Sequence, residues 1–316
     1  MGQASLRTDE LYQGTLARSA NIPVLSPAGR AGRAHGARAG LWPRLMSHRG
    51  GRLGLIIVLA YVAVAVAAPV LAPHPPCAVN LAGRLTPPAI GTGNLLGTDQ
   101  LGRDILSRMM HGARVSMLVG LATVSISAAV GVGLGMVAGY YGGALDRALA
   151  RFTELLLAFP YLIFVIGAMS VMGPGFWNLV WALSFKGWVE FYRLSRALVM
   201  SEKNREYVEA ARVLGRSDSV ICVREILPNI VSSILVLGTL RMGNMIVMES
   251  SLSFLGLGIP PRMPAWGSMI NDGRRYMLTS PWVATFPGLA LALLVLGMNL
   301  LGEGLRDVLD PKMMEG

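Results

Sequence analysis

The chain has 316 residues, 53% of them apolar and 15% charged, with a mean hydropathy of +0.51 and a formal net charge of +10. Its apolar residues fall in long uncharged runs rather than in one-sided stripes, which excludes an ordinary soluble domain. The positive charge is clustered beside those runs, where Lys and Arg orient membrane insertion, so its placement argues against a nucleic-acid partner.

Residues 1–50 are rich in Arg, Ala and Gly. They read as a flexible basic arm, with too few apolar side chains to offset the entropy of ordering. An orienting tail is favoured there over a site for anionic lipid or nucleic acid. A helix needs about 20 mostly apolar residues to cross a bilayer. Leu53–Leu71, Val115–Gly143, Leu155–Gly175 and Tyr276–Gly302 meet that without one charge. Phe176–Leu194, interrupted by Lys186, Glu190 and Arg193, and Ile226–Met248, interrupted by Arg241, bring the expected spans to six. The first resembles a signal peptide at Ala65-Val66-Ala67, but the leading region is too long, so it is kept as a span.

With the amino terminus inside, both basic clusters fall on the cytoplasmic side, the second being Arg193, Arg196, Lys203, Arg205, Arg212, Arg216 and Arg224. The expected organisation is the arm, then 51–114 as the first span with an external loop. A five-span core follows over 115–311, with a cytoplasmic loop at 196–228 and a tail at 312–316. Cys77 and Cys222 fall on opposite sides, which argues against a disulfide, and the four histidines show no ligand spacing. Gly131, Gly135 and Gly139 form a small-residue stripe that fits either a partner subunit or another helix of this chain.

The segment Gly97-Thr98-Asp99-Gln100-Leu101-Gly102-Arg103-Asp104 has the glycine spacing of a phosphate loop. It lacks the Lys and hydroxyl that such a loop needs, and Asp99 would repel phosphate. None of the three lysines follows a glycine, so no standard ATP-binding loop is present. Ser250, Ser251 and Ser253 stand near Glu249 without a histidine base, which leaves a membrane hydrolase unsupported. Charges at membrane depth suggest a functional path. Arg241, Asn244 and Glu249 either line a polar translocation route or satisfy one another near an interface. Lys186 and Glu190, four apart, are expected to neutralise each other.

The stretch Arg205-Glu-Tyr-Val-Glu-Ala-Ala-Arg-Val-Leu-Gly215 reads as a compact polar helix. Tyr207, Ala211 and Leu214 share one face, Glu209 can pair with Arg205 and Arg212, and Gly215 supplies the left-handed stop. Ser217 is placed to cap a second short helix that Pro228 should end. Little of its own chain is available to bury this unit, a shape that fits reception by another protein, although on these residues alone a solvated connector with ordinary ion pairs is narrowly favoured.

Glu209-Ala210-Ala211, Gly215 and Ile226-Leu-Pro228 resemble the EAA motif of binding-protein-dependent ABC importer permeases. Three further stretches resemble the C-type permease subunits of dipeptide, oligopeptide and nickel importers. They are Gly97–Arg108, Glu249–Gly258 with Pro264-Ala-Trp-Gly267, and Asn299–Asp307 with Asp310-Pro311. The resemblance covers roughly residues 50–311 and implies an all-α integral membrane protein with six transmembrane helices and a MetI-like type I fold.

By that resemblance Glu209, Ala210, Ala211 and Gly215 couple the chain to two separate ATPase subunits, which hydrolyse ATP with Mg, while this chain binds no cofactor. A second homologous permease would complete a heterodimeric pathway passing near Arg241, Asn244 and Glu249. A periplasmic or extracellular solute-binding protein would deliver the cargo, peptide or a small solute such as nickel or glutathione. Lys186, Glu190 and Arg241 are less typical of the family. The setting implied is a bacterial plasma (inner) membrane. A self-contained ion-coupled transporter is the alternative, but the paired broken helices expected of one are not found.

Overall fold

The computed structural model describes residues 41–89 and 93–309. Among them every regular element is helical, apart from one antiparallel bridge between Thr98 and Asp104. The larger part of the basic arm lies outside the described residues. Its last ten residues do not behave as expected, because 41–47 form α1 (Leu41–Ser47) and α2 begins at Arg49. His48 joins the two helices, its Nδ1 accepting from the Gly51 amide at 3.0 Å and so satisfying a free N–H at the helix start.

Helix α2 spans Arg49–Leu71 and matches the first expected span. Helix α3 runs from Ile105 to Tyr141, so the expected boundary between 114 and 115 falls inside it. The run of uncharged residues understated this helix because its first turns carry Arg108 and Arg114. Asp104 starts it, accepting from the Ser107 amide at 2.8 Å.

The third expected span is not one straight helix. It divides into α4 (Gly143–Ala158) and α5 (Tyr161–Met172), bent by 87°. Pro160 has no N–H to continue the helical ladder and drives Phe159 into extended backbone, with ψ 136°. Helix α6 (Phe176–Glu202) continues eight residues past the expected end of the fourth span. After it come α7 (Glu206–Val213), α8 (Asp218–Phe254), α9 (Trp266–Gly273) and α10 (Trp282–Leu309).

Pro228 does not end its helix. The turn Ile221–Ile226 is a wide π turn in which Leu227 N–H bonds to Cys222 O, five residues back. That widening releases the ladder at the position where Pro228 has nothing to donate, so α8 passes through. Ser217 stands at the cap position in extended backbone, but its hydroxyl makes no capping bond.

Helices α2, α3, α8 and α10 are long and apolar enough to cross a membrane, and the bent α4–α5 pair would add a fifth crossing. Helix α6 has the length, with 27 residues, but carries Lys186, Glu190, Arg193 and Arg196. Large apolar side chains on the helices' outer faces, including Val66, Val70, Ile163 and Val171, are exposed, as expected of lipid-facing surface.

Lipid offers no hydrophobic drive between helices, so close van der Waals packing must hold the bundle. The small-residue stripe of α3 meets α6 of the same chain. A Cβ added at Gly131 would lie 2.4 Å from Trp188 O, and one at Gly135 would lie 1.9 Å from Ser195 Oγ. A second such seam, between Gly54 of α2 and Gly297 of α10, went unread in the sequence because its two halves lie far apart.

Candidate functional site

Helix α7 sits at the end of the bundle that also holds the start of α2 and the end of α10. Arg205 begins it in extended backbone, and Gly215 ends it with φ +75°, a conformation costly for any residue with a Cβ. Its own chain buries one face. Val208 and Ala211 pack with Ile221, Cys222, Ile226, Val199 and Tyr140, with Tyr207 half-buried beside them. The Tyr207 hydroxyl donates to Glu202 at 2.8 Å, and burial together with that carboxylate pushes its pKa above the usual phenol range.

The expectation that this chain could not receive α7 is therefore corrected on one side only. Ala211 is small so that α7 can lie close on α8, whereas Ala210 faces outward. Leu214 does not join Tyr207 and Ala211 on the packed face. Val213 and Leu214 are 88% and 78% exposed, and nothing lies within 4 Å of where a Gly215 Cβ would be. Glu209 is exposed and forms no ion pair with either expected arginine. Arg205 pairs instead with Glu202 at 3.8 Å, and Arg212 lies 5.5 Å over the Tyr140 ring.

Three anchors that the sequence did not suggest fix this end of the molecule. Tyr140 Oη donates to Asp218 at 2.7 Å, Lys203 Nζ donates to Gly139 O at 2.9 Å, and Arg196 donates to Asp146 at 2.7 Å. Asp146 is the lone acid of α4's first turn and Arg196 lies on α6, so only three-dimensional contact could pair them. Helix α7, the π turn and the ends of α3 and α6 thus form one braced unit.

Midway along the bundle a cleft of about 500 Å³ lies where α6 and α8 meet the α4–α5 bend. Arg241 and Asn244 line it together with Lys186, Glu190 and Tyr161. The expected Lys186–Glu190 pairing does not form. Lys186 donates to Phe159 O, the carbonyl left free at the helix break, and Glu190 pairs with Arg241 across the cleft. A side-chain donor at a break restores what the interrupted ladder loses.

Glu249 is not in this cleft. It is fully buried, accepting from Ser116 Oγ at 2.8 Å, Ser250 Oγ at 3.3 Å and Ser253 Oγ at 2.8 Å. Ser253 Oγ in turn accepts from Ile259 N at 3.2 Å. Ser250 and Ser253 are thus hydrogen-bond donors to Glu249 along with Ser116, joining α3 to the end of α8 and the following loop, whereas Ser251 donates to Val247 O.

At the opposite end of the bundle, residues 97–104 form a closed loop with its acid inside. Asp99 Oδ1 accepts from the Leu101 and Arg103 amides at 2.9 and 3.0 Å. Its Oδ2 accepts from Arg103 Nε at 2.6 Å and from Arg108. Arg103 also reaches Asp272 of α9 at 3.3 Å. Gly102 has φ +69°, and a Cβ there would lie 1.8 Å from Asn80 O. Thr98 O accepts from Trp282 Nε1 at 3.3 Å. Arg103, the loop's one cation, is taken up by Asp99 and Asp272, so Gly97, Thr98, Asp99, Gly102, Arg103 and Asp104 make a structural clasp. Trp266 completes this end, buried against Gly112 and donating to Met109 O at 3.0 Å.

Residues 131–315 match the family model described as a binding-protein-dependent transport system inner membrane component. The chain belongs to that family. Residues 38–88 of the permease match the N-terminal transmembrane domain of oligopeptide transport permease C. The permease is 39% identical to the dipeptide transport system permease protein DppC of Haemophilus influenzae, over 87% of this chain and 94% of that one. It is 40% identical to the di/tripeptide transport system permease protein DppC of Pseudomonas aeruginosa, over 86% and 91% of the two chains. To the glutathione transport system permease protein GsiD of Pectobacterium atrosepticum it is 46% identical, over 69% and 72%. The permease is an all-α membrane subunit of an ABC importer.

Proposed function

We propose that this permease carries di- or oligopeptides and is driven through α7 by separate ATPase subunits. The cargo reading rests on its similarity to permeases named for dipeptide, di/tripeptide and peptide transport. The coupling reading rests on one observation: α7 presents Ala210, Val213, Leu214 and Gly215 outward while Val208 and Ala211 pin its other face to α8. An apolar tip on a braced helix can transmit a push without deforming. ATP and Mg belong to the ATPases, and a second permease and a solute-binding protein complete the importer. The setting is a bacterial inner membrane, with α7 and the amino terminus on the cytoplasmic side. The solute path passes the cleft lined by Arg241 and Asn244.

The reading is tested by peptide uptake into proteoliposomes. The complete complex is expected to take up peptide only with ATP. Glu209→Arg is expected to assemble in the membrane yet lose most uptake, because Glu209 is exposed and its reversal affects only a docked partner. Uptake by this chain alone without ATP would instead establish the ion-coupled carrier.

A further inference from the structure

The charged cleft contains more than a self-satisfied ion pair requires. Its three charges, Lys186, Glu190 and Arg241, sum to +1. Lys186 commits one donor to Phe159 O, and Arg241 faces Glu190 Oε2 in an ion pair through its Nε. The two terminal nitrogens of Arg241 have no hydrogen-bond partner among the described residues, and a third of its side chain is exposed to the cleft. A net positive charge near the middle of a bundle, with unused guanidinium donors, is costly unless an anion visits it. Guanidinium nitrogens bind carboxylate through two parallel bonds, the geometry left open here. Asn244, one helical turn along α8, adds an amide at the same wall.

We propose that this cleft is a specificity-determining subsite and that Arg241, with Lys186 behind it, receives the terminal carboxylate of the peptide cargo. Glu190 holds the guanidinium in place while the site is empty, and an arriving carboxylate takes up the unused donors and brings the cleft to neutrality. A peptide whose terminus is an amide leaves the positive charge uncompensated and passes poorly. This inference rests on the peptide reading above.

The experiment measures peptide taken up per ATP hydrolysed in proteoliposomes holding the complete complex. It uses a dipeptide with a free carboxylate and the same dipeptide as its carboxamide, each saturating the same solute-binding protein. The wild-type complex is expected to move the free acid about tenfold or more better per ATP, the ratio a lost charge-assisted hydrogen bond gives. Arg241→Gln should bring the two peptides within about twofold by lowering free-acid uptake per ATP hydrolysed. The double variant Glu190→Gln with Arg241→Gln removes the ion pair as a whole, leaves Lys186 on Phe159 O, and should show the same levelling. Wild-type preference for the free acid that persists in either variant overturns the subsite, as does equal wild-type uptake of acid and amide. Absence of all peptide uptake by the wild-type complex overturns the peptide reading itself, a separate result.

Discussion

Leu214→Asp is expected to abolish ATP-driven uptake, by on the order of a hundredfold, while leaving the permease folded. Leu214 is 78% exposed at the end of α7 and contributes little to this chain's own packing, so the substitution has almost no folding cost. Burial of a full leucine side chain against a partner is worth roughly 1.5–3 kcal/mol, and a carboxylate buried unpaired in its place adds a further penalty. Together these correspond to about two or more decades in affinity. The checks are uptake and substrate-stimulated ATPase activity in proteoliposomes, beside a detergent elution profile showing intact permease. By contrast, Ala211 is packed on Ile221 and Ile226, and enlarging it would disturb the permease itself.

Asp99→Asn is expected to destabilise the purified permease strongly without touching α7. Asp99 is buried and receives Arg103 and Arg108, while Asp272 stands at the rim of the cluster, 3.3 Å from Arg103. Removing one partner from a buried pair costs about 3–5 kcal/mol, because the other charge is stranded. Asparagine preserves the shape, so the loss isolates the charge. The thermal aggregation midpoint should fall by on the order of 10 °C, given the usual size scaling. Asp272→Asn, at the half-exposed rim, should cost far less, since exposed pairs contribute about 0–1 kcal/mol.

The helical spans were legible because a long uncharged run has few alternatives in a membrane protein, and α2 and α10 confirm it. What the runs misjudged were helices whose charges are neutralised across space. Arg108 belongs to α3 because Asp99 receives it, and of the charges of α6 Arg196 is received by Asp146, Lys186 by Phe159 O and Glu190 by Arg241, while Arg193 stays exposed. Pro160 lay inside an uncharged run read as a single span, and nothing in the sequence pairs the carbonyl freed beside it with a lysine from α6. Pro228 announced a stop that the π turn removes, since a one-residue change in hydrogen-bond register leaves no pattern in the sequence.

The segment 205–215 was recognisable as a helix ended at Gly215, but its faces were assigned wrongly at Leu214. Helical spacing alone cannot say which stripe of a short helix meets its own chain. Among the proposed path residues, Arg241 and Asn244 share the cleft, whereas Glu249 is enclosed by Ser116, Ser250 and Ser253. Ser116 lies 133 residues away on α3, so that enclosure exists only in the folded bundle.

The central claim is that α7's exposed tip is held by a separate ATPase, and cross-linking tests it most directly. Leu214→Cys would be introduced into a permease with Cys77 and Cys222 replaced, then treated with a short bifunctional thiol reagent in the assembled complex. The account predicts a covalent adduct between the permease and an ATPase subunit whose yield changes with bound nucleotide. A permease that assembles and transports, yet gives no adduct with an ATPase from residue 214 in any nucleotide state, would contradict it.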